Sequence, residues 1–160
     1  MKIGIISDTH SFLPDKAISH LNICDEIWHA GDIGSIKILE QLENIKRTRA
    51  VYGNIDNNII KQDLEEFIIF QVEDIKILLI HIAGKPPHYN NKTLKLIKKY
   101  KPEILICGHS HILKIMKDDV NNILIINPGA LGKIGFHKKK TMVRIDINRS
   151  KISNVEIIEF

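Results

Sequence analysis

Apolar residues gather in short dense runs along this chain, separated by polar turns, and the spacing inside each run names an element. Lys2 to Ser7 is isoleucine-rich without alternation, the pattern of a strand covered on both faces. Pro14 can open a helix, and Ala17, Ile18 and Leu21 recur at helical spacing up to Cys24. A strand follows at Glu26 to His29. Ser35 is placed to cap a helix whose Ile38, Leu39 and Leu42 share one face, and Thr48 to Tyr52 returns as a strand. The Gly53 to Asn58 stretch is a turn cluster, because glycine and asparagine tolerate a left-handed backbone. Phe67 to Val72 and Lys76 to Ile80 read as a hairpin around Glu73-Asp74, and Gly84 to Pro87 as loop. Thr93 to Tyr100 is helical, stopped by Pro102, and Glu103 to Cys107 is another apolar strand. Beyond it the helical spacing vanishes. Ile112 to Met116, Asn122 to Ile126, Thr141 to Ile147 and Ile152 to Ile158 read as strands. Alternating strands and helices followed by hairpins predict an α/β fold with two stacked sheets and helices outside.

Composition adds little to this picture and removes several function classes. A chain of 160 residues, 44% hydrophobic and 26% charged, suits one globular domain spanning 1–160 with a buried core. The formal net charge of +4 and pI near 9.0 come from scattered lysines, including Lys98, Lys99, Lys101 and Lys138 to Lys140. Aromatic residues are only 6% of the chain and do not interleave with those lysines, so the basic balance reads as a solvated face that favours anionic substrates. Stable nucleic-acid binding is not expected. Cys24 and Cys107 lie in apolar surroundings, which suits buried thiols and a reducing cytoplasm better than a disulfide framework. The first apolar run is interrupted by Asp8 and His10 and is too short for a secretion signal. No uncharged run approaches the roughly 20 residues that span a bilayer, so no membrane partner is expected.

What changes the picture is where the metal-binding residue types fall. Asp8, Asp32, Asn54, His81 and the pair His109 and His111 each lie at or just after the end of an apolar strand. Strand ends converge at one edge of an α/β sheet, where ligands bind. Asp8-Thr9-His10 and His109-Ser110-His111 are i, i+2 pairs, and in extended backbone such residues point the same way. Gly31, Gly53 and Gly108 each precede a candidate and let the chain turn tightly beside a crowded site. A mixed set of imidazole, carboxylate and amide donors suits manganese, iron, nickel or zinc. Taken singly, each of these pieces is more often an ordinary turn or strand end. Their joint occurrence in this order is what points to a metal centre.

The ordered series Asp8-x-His10, Gly31-Asp32, Gly53-Asn54, His81, Gly108-His109-x-His111 resembles the calcineurin-like metallophosphoesterase superfamily, and within it the small, cap-free bacterial and archaeal phosphodiesterases, over essentially the whole chain. The resemblance implies a four-layer α/β/β/α sandwich of two stacked mixed sheets. It implies that Asp8, His10, Asp32 and His111 hold one divalent cation while Asp32, Asn54, His81 and His109 hold a second, Asp32 bridging them. Manganese is the first expectation for both cations, with nickel, iron or zinc as alternatives. The implied reaction is hydrolysis of a small, nucleotide-like phosphodiester, monoesters also being admitted, by direct attack of a metal-bridging hydroxide while the cations and the Asn54 amide neutralise the phosphoryl oxygens.

The chain departs from the family pattern in places. Larger members follow the Gly-Asn motif with a histidine that protonates the leaving group, whereas Gly53-Asn54 is followed here by Ile55-Asp56. Asp56 either replaces that catalytic acid in part or caps the turn. His81 is followed by Ile82 rather than glycine, which predicts a differently shaped loop. Asn127-Pro128-Gly129-Ala130 is expected to be structural, and His29 and His137 to serve structural or substrate-edge roles. Two rival functions share the fold: a non-catalytic protein-interaction scaffold and a nuclease. The filled ligand set argues against the first and the absence of a DNA-binding addition against the second. A homo-oligomer is left open.

Overall fold

The computed structural model describes residues 1–160. Its strands are β1 (Lys2–Ile6), β2 (Glu26–His29), β3 (Arg47–Ala50), β4 (Phe67–Val72), β5 (Ile75–Ile80), β6 (Gly84–Lys85), β7 (His88–Tyr89), β8 (Ile104–Ile106), β9 (Leu113–Asp118), β10 (Ile123–Pro128), β11 (Thr141–Asn148) and β12 (Lys151–Glu159). The helices are α1 (Asp15–Asn22), α2 (Ile36–Ile45), α3 (Asn58–Asp63) and α4 (Asn91–Tyr100). Two five-stranded sheets carry the architecture. One runs β12-β11-β1-β2-β3 and the other β4-β5-β8-β10-β9. In each, three neighbouring strands are parallel, β1-β2-β3 and β5-β8-β10, and the outer pairings are antiparallel. Parallel strands end on the same side, so the strand ends that bear candidate ligands lie along one edge of each sheet.

Side-chain parity explains why the strands read as unbroken apolar runs. Ile3 and Ile5 of β1, Trp28 of β2, Ile77 and Leu79 of β5, Ile104 and Ile106 of β8 and Val143 and Ile145 of β11 point between the sheets and form one buried cluster. Their neighbours point outward. Ile6, Ile27 and Met142 pack with Ala17 and Leu21 of α1, Leu39 and Leu42 of α2 and Ile60 of α3. On the far side Leu78, Ile80, Leu105, Ile123 and Ile125 pack with Ile97 of α4. Successive strand residues face opposite ways, so a strand buried on both faces must be apolar at every position. The result is the expected α/β/β/α layering.

Local chemistry sets the helix ends. The side chains of Ser35, Asn57 and Asn90 accept hydrogen bonds from the backbone N–H of Lys37, Ile60 and Thr93 and cap α2, α3 and α4. Helix α4 begins two residues earlier than its spacing predicts and ends on Lys101 in a left-handed conformation, just before Pro102. Three further features differ from the expectation. Strand β3 sits one residue earlier at its start and stops at Ala50. The turn cluster after Gly53 passes into α3, a single capped turn too short for apolar periodicity to show. The loop expected at Gly84 to Pro87 is a small β6-β7 hairpin. Cys24 and Cys107 are buried and free. No helix is long and apolar enough to cross a membrane.

Candidate metal centre

The loops that follow β1, β2, β3, β5 and β8 meet above the seam between the two sheets. They bring together two groups of donor atoms. Asp8, His10 and His111 form one and Asp32, His81 and His109 the other, and within each group the donor atoms lie within 4.8 Å of one another. In the first, His111 Nε2 is 3.2 Å from Asp8 Oδ1 and 3.3 Å from His10 Nε2. In the second, His81 Nε2 is 3.2 Å from Asp32 Oδ1 and 3.0 Å from Asn54 Oδ1. Asp32 faces both groups, because its other oxygen, Oδ2, is 3.8 Å from His10 Nε2. All seven residues singled out as ligands in the sequence are therefore assembled in one place.

The two i, i+2 pairs behave differently. Asp8 and His10 do share a group, whereas His109 and His111 diverge into different ones. Neither pair is extended: Asp8, His10, Asp32, His109 and His111 all have φ between +46° and +69°. L-residues resist this left-handed region at a cost on the order of 1 kcal/mol each, so backbone strain is concentrated where the donors converge. Loop-to-loop hydrogen bonds hold it in place. Asp8 N–H donates to Gly31 O and His10 N–H to Asp32 O, both at 3.0 Å. His109 N–H donates to Asp8 Oδ2 at 3.1 Å, tying one sheet's loop to the other's. A Cβ placed on Gly53 would lie 2.0 Å from Asp32 Oδ1, so only glycine lets the β3 loop approach this carboxylate.

The protonation pattern tests whether the donors suit a cation. His81 Nδ1 is 2.7 Å from the Ala30 carbonyl and must donate to it, which leaves Nε2 as a lone pair facing two oxygen acceptors. Such a convergence is repulsive unless a positive charge sits within it. In the metal-free protein the same surroundings favour a proton there. Burial opposes charge on His81, yet the hydrogen bond with Asp32 and the charges of Asp8 and Asp32 outweigh it and raise its pKa. The hydrogen bond with Asp8 likewise raises His111 against the effect of burial. Burial pushes Asp32 up, but the hydrogen bond from His81 and its charge hold the carboxyl below its ordinary range. A carbonyl that fixes the imidazole tautomer is the usual support of a metal-binding histidine, so the donor set fits divalent metal.

The secondary candidates separate from the centre. Asp56 is buried, and its carboxylate accepts N–H bonds from Ile33 at 3.2 Å, Gly34 at 2.7 Å and Gly53 at 2.8 Å. These are hydrogen bonds of the kind a turn cap makes, and both oxygens take part in them. His29 is fully buried, accepts from Gly31 N–H through Nδ1 and meets Thr9 Oγ1 through Nε2 at 2.9 Å. Burial brings its pKa down to about 4, so it is a neutral brace between the first two ligand loops. Asn127 donates to Gly108 O and Ser110 Oγ and accepts from Gly129 N–H, pinning the loop of His109 and His111. His137 lies against His111, ring centroids 5.4 Å apart, with Nε2 on the Gly132 carbonyl. The bracing role of Thr9 was not visible in the sequence, since a hydroxyl between two candidate ligands carries no spacing signal.

The profile of the calcineurin-like phosphoesterase superfamily domain matches residues 1–150. The chain belongs to that superfamily. This phosphoesterase is 35% identical over 137 residues to a probable metallophosphoesterase of Methanocaldococcus jannaschii, covering 81% of its own length and 68% of the relative's. To a phosphodiesterase of the same organism it is 32% identical over 145 residues, covering 81% and 83%. Among solved structures, an archaeal phosphodiesterase superposes with a TM-score of 0.77 at 28% identity over the full length of both chains. The zinc complex of Vps29 from Entamoeba histolytica also superposes at 0.77, over 100% of this chain and 98% of that one, but at 19% identity it shows the shared fold alone. The phosphoesterase fold and family expected from the ligand motifs are thus in place.

Proposed function

We propose that this chain is a two-metal phosphodiesterase acting on small, nucleotide-like phosphoesters, with the seven assembled residues as its ligands. Asp8, His10, His111 and Asp32 Oδ2 would hold one cation, and Asp32 Oδ1, Asn54, His81 and His109 the other, manganese being the first candidate for both. The single observation that carries this reading is the split of Asp32, one oxygen toward each donor group. When bound, such a cation pair acidifies water enough to make it a nucleophile at neutral pH and neutralises phosphoryl oxygens.

The chain's own residues do the rest. Asp8, Asp32 and His81 are buried and rigidly held, while Asn54 and His109 are exposed and form the face a substrate would meet. The Asn54 side-chain amide carries N–H donors as well as the oxygen near His81, so it can also orient a phosphoryl oxygen. Diesters are favoured because open clefts flank the centre on both sides and offer room for two ester arms. One, of about 300 Å3, is lined by Tyr52, Asn54, Lys61, Glu66, His81 and Ile82. The other, of about 530 Å3, is lined by His109, Ser110, His111, Ile112, Phe136 and His137 among others. The scaffold alternative leaves the strained convergence of acceptors without a use.

Asp32→Asn tests this reading. The expected result is loss of tightly bound metal, measured by elemental analysis, together with nearly all hydrolysis of bis(4-nitrophenyl) phosphate. Retention of both refutes it. A labelled oligonucleotide should stay intact under conditions that cleave the small diester; its cleavage would favour the nuclease alternative.

A further inference from the structure

We propose that Phe136, which lines the larger cleft together with Ile112, is the platform for a planar aromatic arm of the substrate, a nucleobase or aryl group, whose phosphate lies at the metal centre. The proposal rests on the function proposed above and narrows its substrate. It begins with a surface anomaly. Phe136 is fully exposed, and Ile112 and Ile134 are 66% and 61% exposed, on the two segments that flank His111. Single exposed apolar residues are ordinary, but Ile112 and Phe136 line one cleft together with the candidate ligands His109 and His111, which places apolar surface beside the centre.

The loop that presents Phe136 is built into the centre. Leu131 N–H donates to Ser7 O and Gly132 N–H to Asp8 O, both at 3.0 Å, and His137 Nε2 meets Gly132 O at 3.0 Å, closing the loop on itself. Gly135, with φ of +130°, lies so close to His111 that a Cβ there would fall 2.1 Å from His111 Nδ1. Phe136 follows directly, so its ring is displayed one residue from a ligand contact.

The shape and chemistry of the cleft choose the occupant. It shares His109 and His111 with the donor groups, so a phosphate held there would direct one substituent into it. Its walls include the flat rings of His109, His111, Phe136 and His137. About 530 Å3 is within the range of a ligand pocket. Flat π surfaces stack on any base without reading its edge, which makes the contact tolerant of base identity. The smaller cleft places the charged groups of Lys61 and Glu66 beside Tyr52, Ile80 and Ile82, so the favoured diester is asymmetric: one aromatic arm and one arm that carries polar groups.

The test is calorimetric titration of the manganese-loaded protein with inorganic phosphate, ribose 5-phosphate and adenosine 5′-monophosphate. Wild-type protein should bind the adenylate about tenfold more tightly than ribose 5-phosphate, a margin typical of one stacked base. Phe136→Ala should abolish that margin while leaving phosphate affinity in place, and Phe136→Trp should restore it. Equal affinity for the two sugar phosphates in wild-type protein, or a margin that survives in Phe136→Ala, overturns the proposal alone. Failure of the metal-loaded protein to bind any of the three overturns it together with the reading of the centre.

Discussion

At the scale of single residues, the centre is a set of acceptors that no ordinary hydrogen-bond network would assemble. His81 and His111 show what this means for titration. A raised imidazole pKa contributes stability that is fully present below the ordinary value of about 6.5 and is lost as pH rises through the raised one. Bound cations need the same nitrogens deprotonated, so their contribution grows across the same interval. The increase in Tm produced by manganese over chelator should therefore be larger at pH 8 than at pH 6; an increment that is flat or shrinks with pH contradicts the assignment. Asp56 makes the opposite kind of prediction. Its carboxylate serves three backbone N–H groups, and Asp56→Asn should cost about 1–3 kcal/mol in denaturant unfolding while leaving the shape of the pH–rate profile unchanged. A lost ionisation in that profile would return Asp56 to the role of acid. The sequence offered both uses because an aspartate in a turn looks the same whether its oxygens face substrate or backbone.

At the scale of elements, strands carry the donors and the loops aim them. β1, β5 and β8 were readable as apolar runs, since burial on both faces leaves little choice of residue, whereas β2 and β3 carry polar residues such as Glu26, Arg47 and Arg49, and the strand ends located the candidate ligands. Helix α3 was not readable, because a six-residue helix capped by Asn57 has no room for a repeating apolar stripe. Nor were the left-handed conformations of Asp8, His10, His109 and His111, which aspartate and histidine tolerate better than most residues but which the surrounding loops enforce. Two substitutions separate element from site. Ile77→Ala in β5, between the sheets, should cost about 2–5 kcal/mol by denaturant unfolding with activity per folded molecule retained. Gly53→Ala should keep the fold but weaken metal binding sharply, because the added methyl displaces Asp32; unchanged metal content would show that the loop gives way instead.

At the scale of the whole molecule, the ligands come from both sheets: Asp8, His10, Asp32 and Asn54 follow strands of one, and His81, His109 and His111 follow strands of the other. Cations bound there would staple the sandwich along its ligand edge. Metal at about 100 times its dissociation constant should add close to 2.7 kcal/mol to global stability, and amide exchange should slow at the ends of β1, β2, β5 and β8 together. Slowing confined to one sheet would break the bridge that Asp32 implies. The amino-acid order alone determined the layering, since covered strands are mostly apolar on both faces and helices on one stripe only, and it determined which residues are candidate ligands, since donor chemistry belongs to the residue. Only the tertiary structure decided which donors share a group, which backbone N–H groups bond to Asp56 and His29, and that Phe136 shares a cleft with His111. Those outcomes depend on distances between segments far apart in the chain, set by sheet stacking and loop hydrogen bonds that leave no periodic trace in sequence.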